Sequence, residues 1–202
     1  ETMAAALVKL SYWNKDRVLY DPMCGSGTIA IEAALIGRNI APGLNRKFAS
    51  MEWPLVKEEY WKEAKVEARK NIDFDSEIKI YASDVSEKAI RIAEENAIEA
   101  GVDDCIEFFV KDVSHIEKPM CQYGVLITNP PYGERMGDEE QLTKIHKKLG
   151  QVFGRDNTWS VYVITSSNNF EKEFGRKADR KRKLFNGDMR VDYFQYFGER
   201  PQ

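Results

Sequence analysis

Apolar positions along this chain follow two periods. Short apolar runs bounded by glycine, proline or polar clusters predict strands, and stretches with apolar residues three and four apart predict helices. Thr2 to Trp13 reads as an amphipathic helix, Val18–Asp21 as the first strand, and about Gly27 to Gly37 as its following helix. Arg38 to Pro54 carries Pro42-Gly43 among irregular residues and reads as a loop. Lys57 to Asn71 is charged and helical in pattern, Lys79–Ser83 is strand two, and a helix spans Ser86 to Ala100. Ser86 suits its N-cap and Gly101 its C-cap. Ile106–Val110 and Gly124–Thr128 are strands three and four, a helix runs from Glu139 to Phe153, and Trp159–Thr165 is strand five. A short helix near Asn169 to Phe174 precedes two runs, Lys181–Phe185 and Arg190–Phe197, that flank Asn186-Gly187 as a hairpin.

Strands alternating with helices predict an α/β fold with a mainly parallel sheet, and the terminal hairpin adds one antiparallel strand. Ligands in such sheets lie beyond the carboxyl ends of strands, where strand order reverses. The 202 residues are 43% hydrophobic and 31% charged, which excludes a disordered class and suits one domain over 1–202. No apolar run approaches the ~20 residues of a membrane span. There is no signal-peptide pattern, and the first residue, Glu1, predicts a fragment or processed chain. Cys24, Cys105 and Cys121 have no C-x-x-C spacing, so neither a disulfide framework nor a zinc site is expected, and a reducing cytoplasm is the simplest compartment. The net charge of −3 is unlike a free-standing RNA-binding domain. Lys172, Arg176, Lys177, Arg180, Lys181, Arg182 and Lys183 nevertheless crowd one segment, either a solvated hairpin arm or a phosphate-contact surface.

Two motifs carry the candidate chemistry. Asn129-Pro130-Pro131-Tyr132 closes strand four as a rigid, non-helical ledge. The Asn129 side-chain oxygen and the Pro130 carbonyl can accept hydrogen bonds from one planar NH2 group, and Tyr132 offers a ring face for a flat substrate. Asp21-Pro22-Met23-Cys24-Gly25-Ser26-Gly27-Thr28 follows strand one and opens a helix. Glycines let a ligand approach the main chain, and a helix amino terminus presents free N–H groups. Asp21 argues against a pyrophosphate and for a cationic group, such as the ammonium of S-adenosylmethionine. At the end of strand two, Asp84 can accept both hydroxyls of a ribose or can cap the next helix.

DPMCGSGT followed by NPPYGER resembles the Rossmann-like, seven-stranded class I methyltransferases that methylate exocyclic amines. Within them, the extension Gly133-Glu134-Arg135 and the opening Glu1-Thr2-Met3-Ala4-Ala5-Ala6-Leu7 are similar to the THUMP-associated ribosomal RNA guanine-N2 methyltransferases, often labelled N6-adenine-specific DNA methylases. The resemblance covers nearly all of the chain. It implies strand order 3-2-1-4-5-7-6, S-adenosylmethionine as cofactor, ribosomal RNA as partner and an RNA-binding domain upstream. It implies catalytic roles for Asn129, Pro130, Pro131 and Tyr132. Cofactor contacts are implied at Thr2, Asp21, Pro22, Cys24, Gly25, Ser26, Gly27, Asp84, Val85, Asp112, Val113 and Asn129, with Glu1 beside the methionine end. Asp112 accepts from the adenine amine in this pattern, and Val113 supplies a backbone N–H. No metal is called for, and His115 and His146 read as surface or helix residues. Asp84 lies far beyond the ~20-residue spacing of compact dinucleotide units, residues 38–77 supplying the excess. Trp53, Tyr60 and Trp61 within that excess are expected to pack on the sheet, an RNA-stacking surface being the alternative. The rival readings are a DNA adenine-N6 methyltransferase, a protein glutamine methyltransferase, a non-catalytic RNA-binding remnant and a nicotinamide oxidoreductase.

Overall fold

A computed structural model describes residues 1–131 and 138–200; Tyr132 and the Gly133-Glu134-Arg135 extension fall outside it. In chain order its elements are α1 (Thr2–Lys9), β1 (Leu19–Asp21), α2 (Thr28–Gly37), α3 (Glu58–Lys70), β2 (Ile80–Asp84) and α4 (Glu87–Ala100). There follow β3 (Ile106–Val110), β4 (Val125–Thr128), α5 (Asp138–Phe153), β5 (Ser160–Thr165), α6 (Phe170–Phe174), β6 (Arg180–Asn186) and β7 (Met189–Tyr196). The strands form one seven-stranded sheet ordered β3-β2-β1-β4-β5-β7-β6. Pairing is parallel from β3 through β5, and β7 runs antiparallel to both β5 and β6. The expected class and strand order are therefore both present.

Every residue of β4 and β5 is buried, because helices cover both faces of the sheet centre. Helices α1, α2 and α4 bury one apolar face against Leu19, Ile80, Ile127 and Ile164. Ala30, Ala33 and Ala34 are fully buried, and their small side chains let α2 lie close to the strands. Residues of α5 and α6 cover the opposite face, where Leu149, Phe153, Phe170 and Phe174 meet Tyr20, Leu126, Val163 and Phe194. His146 is buried there, its Nδ1 2.6 Å from Glu173 Oε2, and burial holds its pKa down against the carboxylate. As expected, Ser86 Oγ accepts from the Ala89 N–H, and Gly101 closes α4 in the left-handed conformation.

Three expectations change. Helix α1 stops at Lys9 rather than Trp13, because the Ser11 hydroxyl donates to the Val8 carbonyl and accepts from the Trp13 N–H, turning the chain. The hairpin turn is centred on Gly187-Asp188, since Asn186 pairs with Met189. Gly187 has φ 60°, a sign that suits the first central position of a type II′ turn. Trp53 and Tyr60 do not join the core: they are 61% and 56% exposed, and Trp61 stacks on Phe48 instead of the sheet. Helix α3 has no buried residue, because charges occupy nearly every face of EEYWKEAKVEARK.

Arg17 ties the amino ends of the central strands together. Its guanidinium donates to the carbonyls of Tyr12, Tyr123 and Gly124 and to Ser160 Oγ, at 2.6–3.2 Å. Removing a buried partner strands several acceptors, at about 1–3 kcal/mol each. Arg17→Ala is expected to lower unfolding free energy by roughly 3 kcal/mol or more. A urea titration showing less than about 1 kcal/mol of loss would refute this stapling role.

Candidate active site

Strand β1 delivers Asp21 to the carboxyl edge of the sheet, where it is 1% exposed. Its Oδ1 accepts from Thr128 Oγ1 at 2.8 Å and from the Met23 N–H at 3.2 Å. Its Oδ2 is buried and has no hydrogen-bond partner among the described residues. Burial pushes the acid up to about 7, against the pull of the Thr128 and Met23 hydrogen bonds, and Asp84 adds repulsion. A carboxylate oxygen so placed is an acceptor waiting for a donor, best a cationic one.

The glycine loop is pinned to the neighbouring elements. The Cys24 N–H donates to the Ser83 carbonyl at 2.9 Å, and Asn96 on α4 donates to the Ser26 carbonyl at 3.0 Å. Gly25 has φ 55°, and a Cβ built there meets nothing within 4 Å, so its open side is bare main chain. Gly27 serves packing: its Cβ would stand 3.0 Å from Ala93 Cβ, so α2 could not begin so close to α4 with a larger residue. Gly27 is also the N-cap of α2 and supplies no side-chain acceptor, which leaves the first N–H groups of the helix available. The Cys24 thiol is buried and its pKa lies far above the usual range, so it is an inert wall group.

Asp84 has a double role, of which the sequence suggested only the one at the start of the next helix. Its Oδ2 accepts from the Gly25 N–H at 3.0 Å, and its Oδ1 accepts from the Ser86 N–H at 2.9 Å. The residue thus braces the glycine loop and opens α4, while each oxygen keeps a further lone pair. Asp112 accepts from the Ser114 N–H at 2.7 Å, which holds its carboxyl below the ordinary value. The Lys111 N–H donates to the Asp84 carbonyl, which keeps the exits of β2 and β3 adjacent. Val85 is exposed at the same edge, and Val113 is half-buried against the second core.

A cleft of about 330 Å³ opens at the ends of β1 and β4. Asp21, Met23, Cys24, Gly25, Ser26, Thr28 and Asn129 of the two motifs line it, together with Ile29 and Glu1. Thr2, Pro22, Gly27, Asp84, Val85, Asp112, Val113, Pro130 and Pro131 are not among its walls. Thr2 is exposed and Pro22 buried. Of the two residues expected at the methionine end, Glu1, held by an ion pair with Arg46, lines the cleft and Thr2 does not. Met3, Ala4 and Leu7 of α1, Ile164 of β5 and Asn186 of the hairpin are the other lining residues among those described. The apolar period of α1 could have pointed to Met3 and Leu7; no local signal marks Ile164 or Asn186. A second hollow of about 190 Å³, between Tyr20, Tyr81, Phe109, Glu117 and Pro119, touches no described residue of either motif.

Comparison with known proteins gives the arrangement a context. Residues 1–195 match the family model described as UPF0020, RMKL-like methyltransferase domain. YpsC of Bacillus subtilis (strain 168), to which RNA methyltransferase activity is assigned provisionally, is 49% identical over 100% of this chain and 52% of its own length. Ribosomal RNA large subunit methyltransferase K/L of Shewanella sp. (strain W3-18-1) is 37% identical over 97% of this chain and 28% of its own length. The chain thus spans about half or less of these relatives. The crystal structure of SMU.472, a provisional methyltransferase complexed with SAH, superposes with TM-score 0.93 at 43% identity, covering 99% of this chain and 53% of that one.

Asp21 has a consequence for stability. Its folded pKa of about 7 lies above the ordinary carboxylate value of 3.8, so the folded state keeps a proton that the unfolded state releases. The contribution to stability is full below about pH 4 and is lost as pH rises through 7. Asp21→Asn keeps the Thr128 and Met23 bonds and removes the buried charge. At pH 8, without ligand, it is expected to stabilise the protein by up to ~4 kcal/mol, and by far less at pH 4. Equal effects at both pH values in thermal unfolding would contradict this account.

Proposed function

The chain belongs to the RMKL-like methyltransferase domain family, and we propose that it methylates an exocyclic amine of RNA, guanine N2 of large-subunit ribosomal RNA. The observation that carries the reading is the convergence of the orphaned Asp21 oxygen and Asn129 on one cleft. The methyl donor is S-adenosylmethionine, whose spent form occupies SMU.472. The residues fit it: Asp21 Oδ2 accepts from its ammonium, the open side of Gly25 admits it to the main chain, and the spare lone pairs of Asp84 receive ribose hydroxyls. When bound, it supplies an electrophilic methyl carbon on a sulfonium.

The chain's own work is positioning. The lone pair of an aryl amine is delocalised into its ring and makes a poor nucleophile. Asn129 Oδ1 and the Pro130 carbonyl accept from the two N–H bonds, which favours a pyramidal nitrogen with its lone pair aimed into the cleft. Tyr132, which lies outside the described residues, is assigned the stacking role from the motif alone. Such alignment supplies up to ~7–11 kcal/mol in well-oriented reactions. The ammonium-like product sheds its proton readily, so no strong base is required. The target base must leave its stack to enter, by flipping or because it is unpaired. The names of YpsC and of methyltransferase K/L favour RNA over DNA. An RNA-binding domain outside this segment supplies further affinity, in keeping with the longer relatives.

Two substitutions separate cofactor binding from amine positioning. Asp84→Asn is expected to weaken S-adenosylhomocysteine by roughly 1.5–3 kcal/mol, the value of charged hydrogen bonds. Unchanged affinity in calorimetry would confine Asp84 to bracing the loop. Asn129→Ala is expected to abolish transfer while keeping most cofactor affinity. With unmodified ribosomal RNA and labelled cofactor, nucleoside analysis should show N2-methylguanosine from the wild type and none from Asn129→Ala. N6-methyladenosine in DNA with no RNA product would move the protein to the DNA methyltransferase class, and cofactor binding with no transfer to any substrate would favour a non-catalytic role.

A further inference from the structure

Strand β6 is an outer edge of the sheet, and it carries Arg180, Lys181, Arg182 and Lys183 in succession. Alternate residues share a face, about 6.7 Å apart, close to the spacing of successive phosphates on an extended strand of nucleic acid. Lys181, Lys183 and Phe185 stand on one face, opposite Phe194, Asp192 and Arg190 of β7. Asp192 lies 3.5 Å from Lys181 and 3.9 Å from Arg190 and offsets part of their charge. Arg180, Arg182 and Lys183 make no ion pair among the described residues. The row has a direction. β6 runs parallel to β4 and β5, so it ends at the same sheet edge as they do, and its last residue, Asn186, lines the cleft with Asn129.

Charged residues on an edge strand also prevent edge-to-edge pairing. That purpose is met by either sign and at any point along the edge. Here the chain has 33 acidic and 30 basic residues, yet its edge strand carries four successive cations and leads to the site. A net acidic protein that binds a polyanion must concentrate its cations where the polyanion lies.

We propose that the β6 edge, from Arg180 to Lys183 with Arg190 beside it, holds the phosphodiester backbone of the RNA strand whose base enters the cleft. This rests on the RNA methyl-transfer reading above. It assigns the basic segment to strand tracking, separate from the residues that hold cofactor and amine.

The test compares Arg180→Gln/Lys183→Gln, which removes two unpaired cations, with Lys9→Gln/Lys70→Gln, which makes the same change in net charge on α1 and α3. For the hairpin variant, KM for RNA is expected to rise on the order of tenfold near physiological salt. The slope of log affinity against log salt should fall by about 0.7 for each lost single-strand phosphate contact. S-adenosylhomocysteine affinity, kcat at saturating RNA and melting temperature should stay at wild-type values. The Lys9/Lys70 variant should match the wild type, and Lys183→Arg, which keeps the charge, should retain the wild-type KM. Equal shifts in both double variants would reduce the effect to net charge and overturn the track. So would greater self-association of the hairpin variant at an unchanged KM, which is the behaviour of a guarded edge. A wild type that methylates DNA or protein but no RNA would overturn the underlying reading and the track with it. A wild type active on RNA beside an unaffected hairpin variant would overturn the track alone.

Discussion

The site hangs on one buried hydrogen bond, from Thr128 Oγ1 to Asp21 Oδ1 at 2.8 Å, between segments 107 positions apart. β1 and β4 are parallel neighbours at the point where the strand order reverses. Helices from the two halves of the sheet lie on opposite faces there, so the strand ends between them stay uncovered. The bond orients the Asp21 carboxylate so that one oxygen is satisfied within the protein and the other is left to the cleft. It also sets the last residue of β4, and with it the start of the Asn129 ledge, against the glycine loop. A slip of one residue in β1 or β4 would break that bond and turn each strand's side chains to the other face. Such a slip would bury Leu19 and Ile127 against the wrong helices, so the apolar pattern of the core and the geometry of the site enforce the same register.

The arrangement is costly, and its cost marks the place of a ligand. A carboxylate buried with a free oxygen disfavours its own charge, as the displacement of Asp21 toward neutrality shows. A protein selected for stability alone would place asparagine there. The tolerance comes from elsewhere in the sheet: β4 and β5 are buried along their whole length, and Arg17 closes their amino ends with four hydrogen bonds. One edge of the sheet is over-determined while the other carries an unfulfilled charge, which a bound cation relieves.

Legibility in the sequence followed the range of the interactions. The two motifs could be read because glycine and proline act through local backbone conformation, and strand order followed from short apolar runs and the rules of connection. The α4 caps were readable for the same reason, since Ser86 and Gly101 act within one turn. What escaped depends on residues distant in the chain. The early end of α1 is set by a Ser11 side chain competing for the helix carbonyl. Trp53 and Tyr60 look like core residues until α3 is seen to have no apolar face that could reach the sheet. Asp84 reads as a ribose acceptor or a cap, yet its second oxygen holds the Gly25 N–H across the β1–β2 junction. Asn186 enters the cleft only because the hairpin turn falls one position later than its Asn-Gly dipeptide suggests.

Net charge misleads for a related reason. A formal −3 describes the protein at distances beyond a Debye length, roughly 8–10 Å in physiological salt. Closer in, charge is sorted by place. Acidic groups gather at the exits of β1, β2 and β3, where Asp21, Asp84 and Asp112 stand. Cations gather on the far edge of the same sheet, along β6. On the proposed reading, a small cation and a polyanion therefore meet opposite sides of one sheet, and each is repelled from the other's side. The methyl acceptor proposed to lie between them is a neutral amine, to which Asn129 offers an amide oxygen rather than charge. On the proposed reading, selectivity comes from the sheet order, which sets the acidic exits of β1, β2 and β3 on one side of Asn129 and the cation-bearing strand β6 on the other.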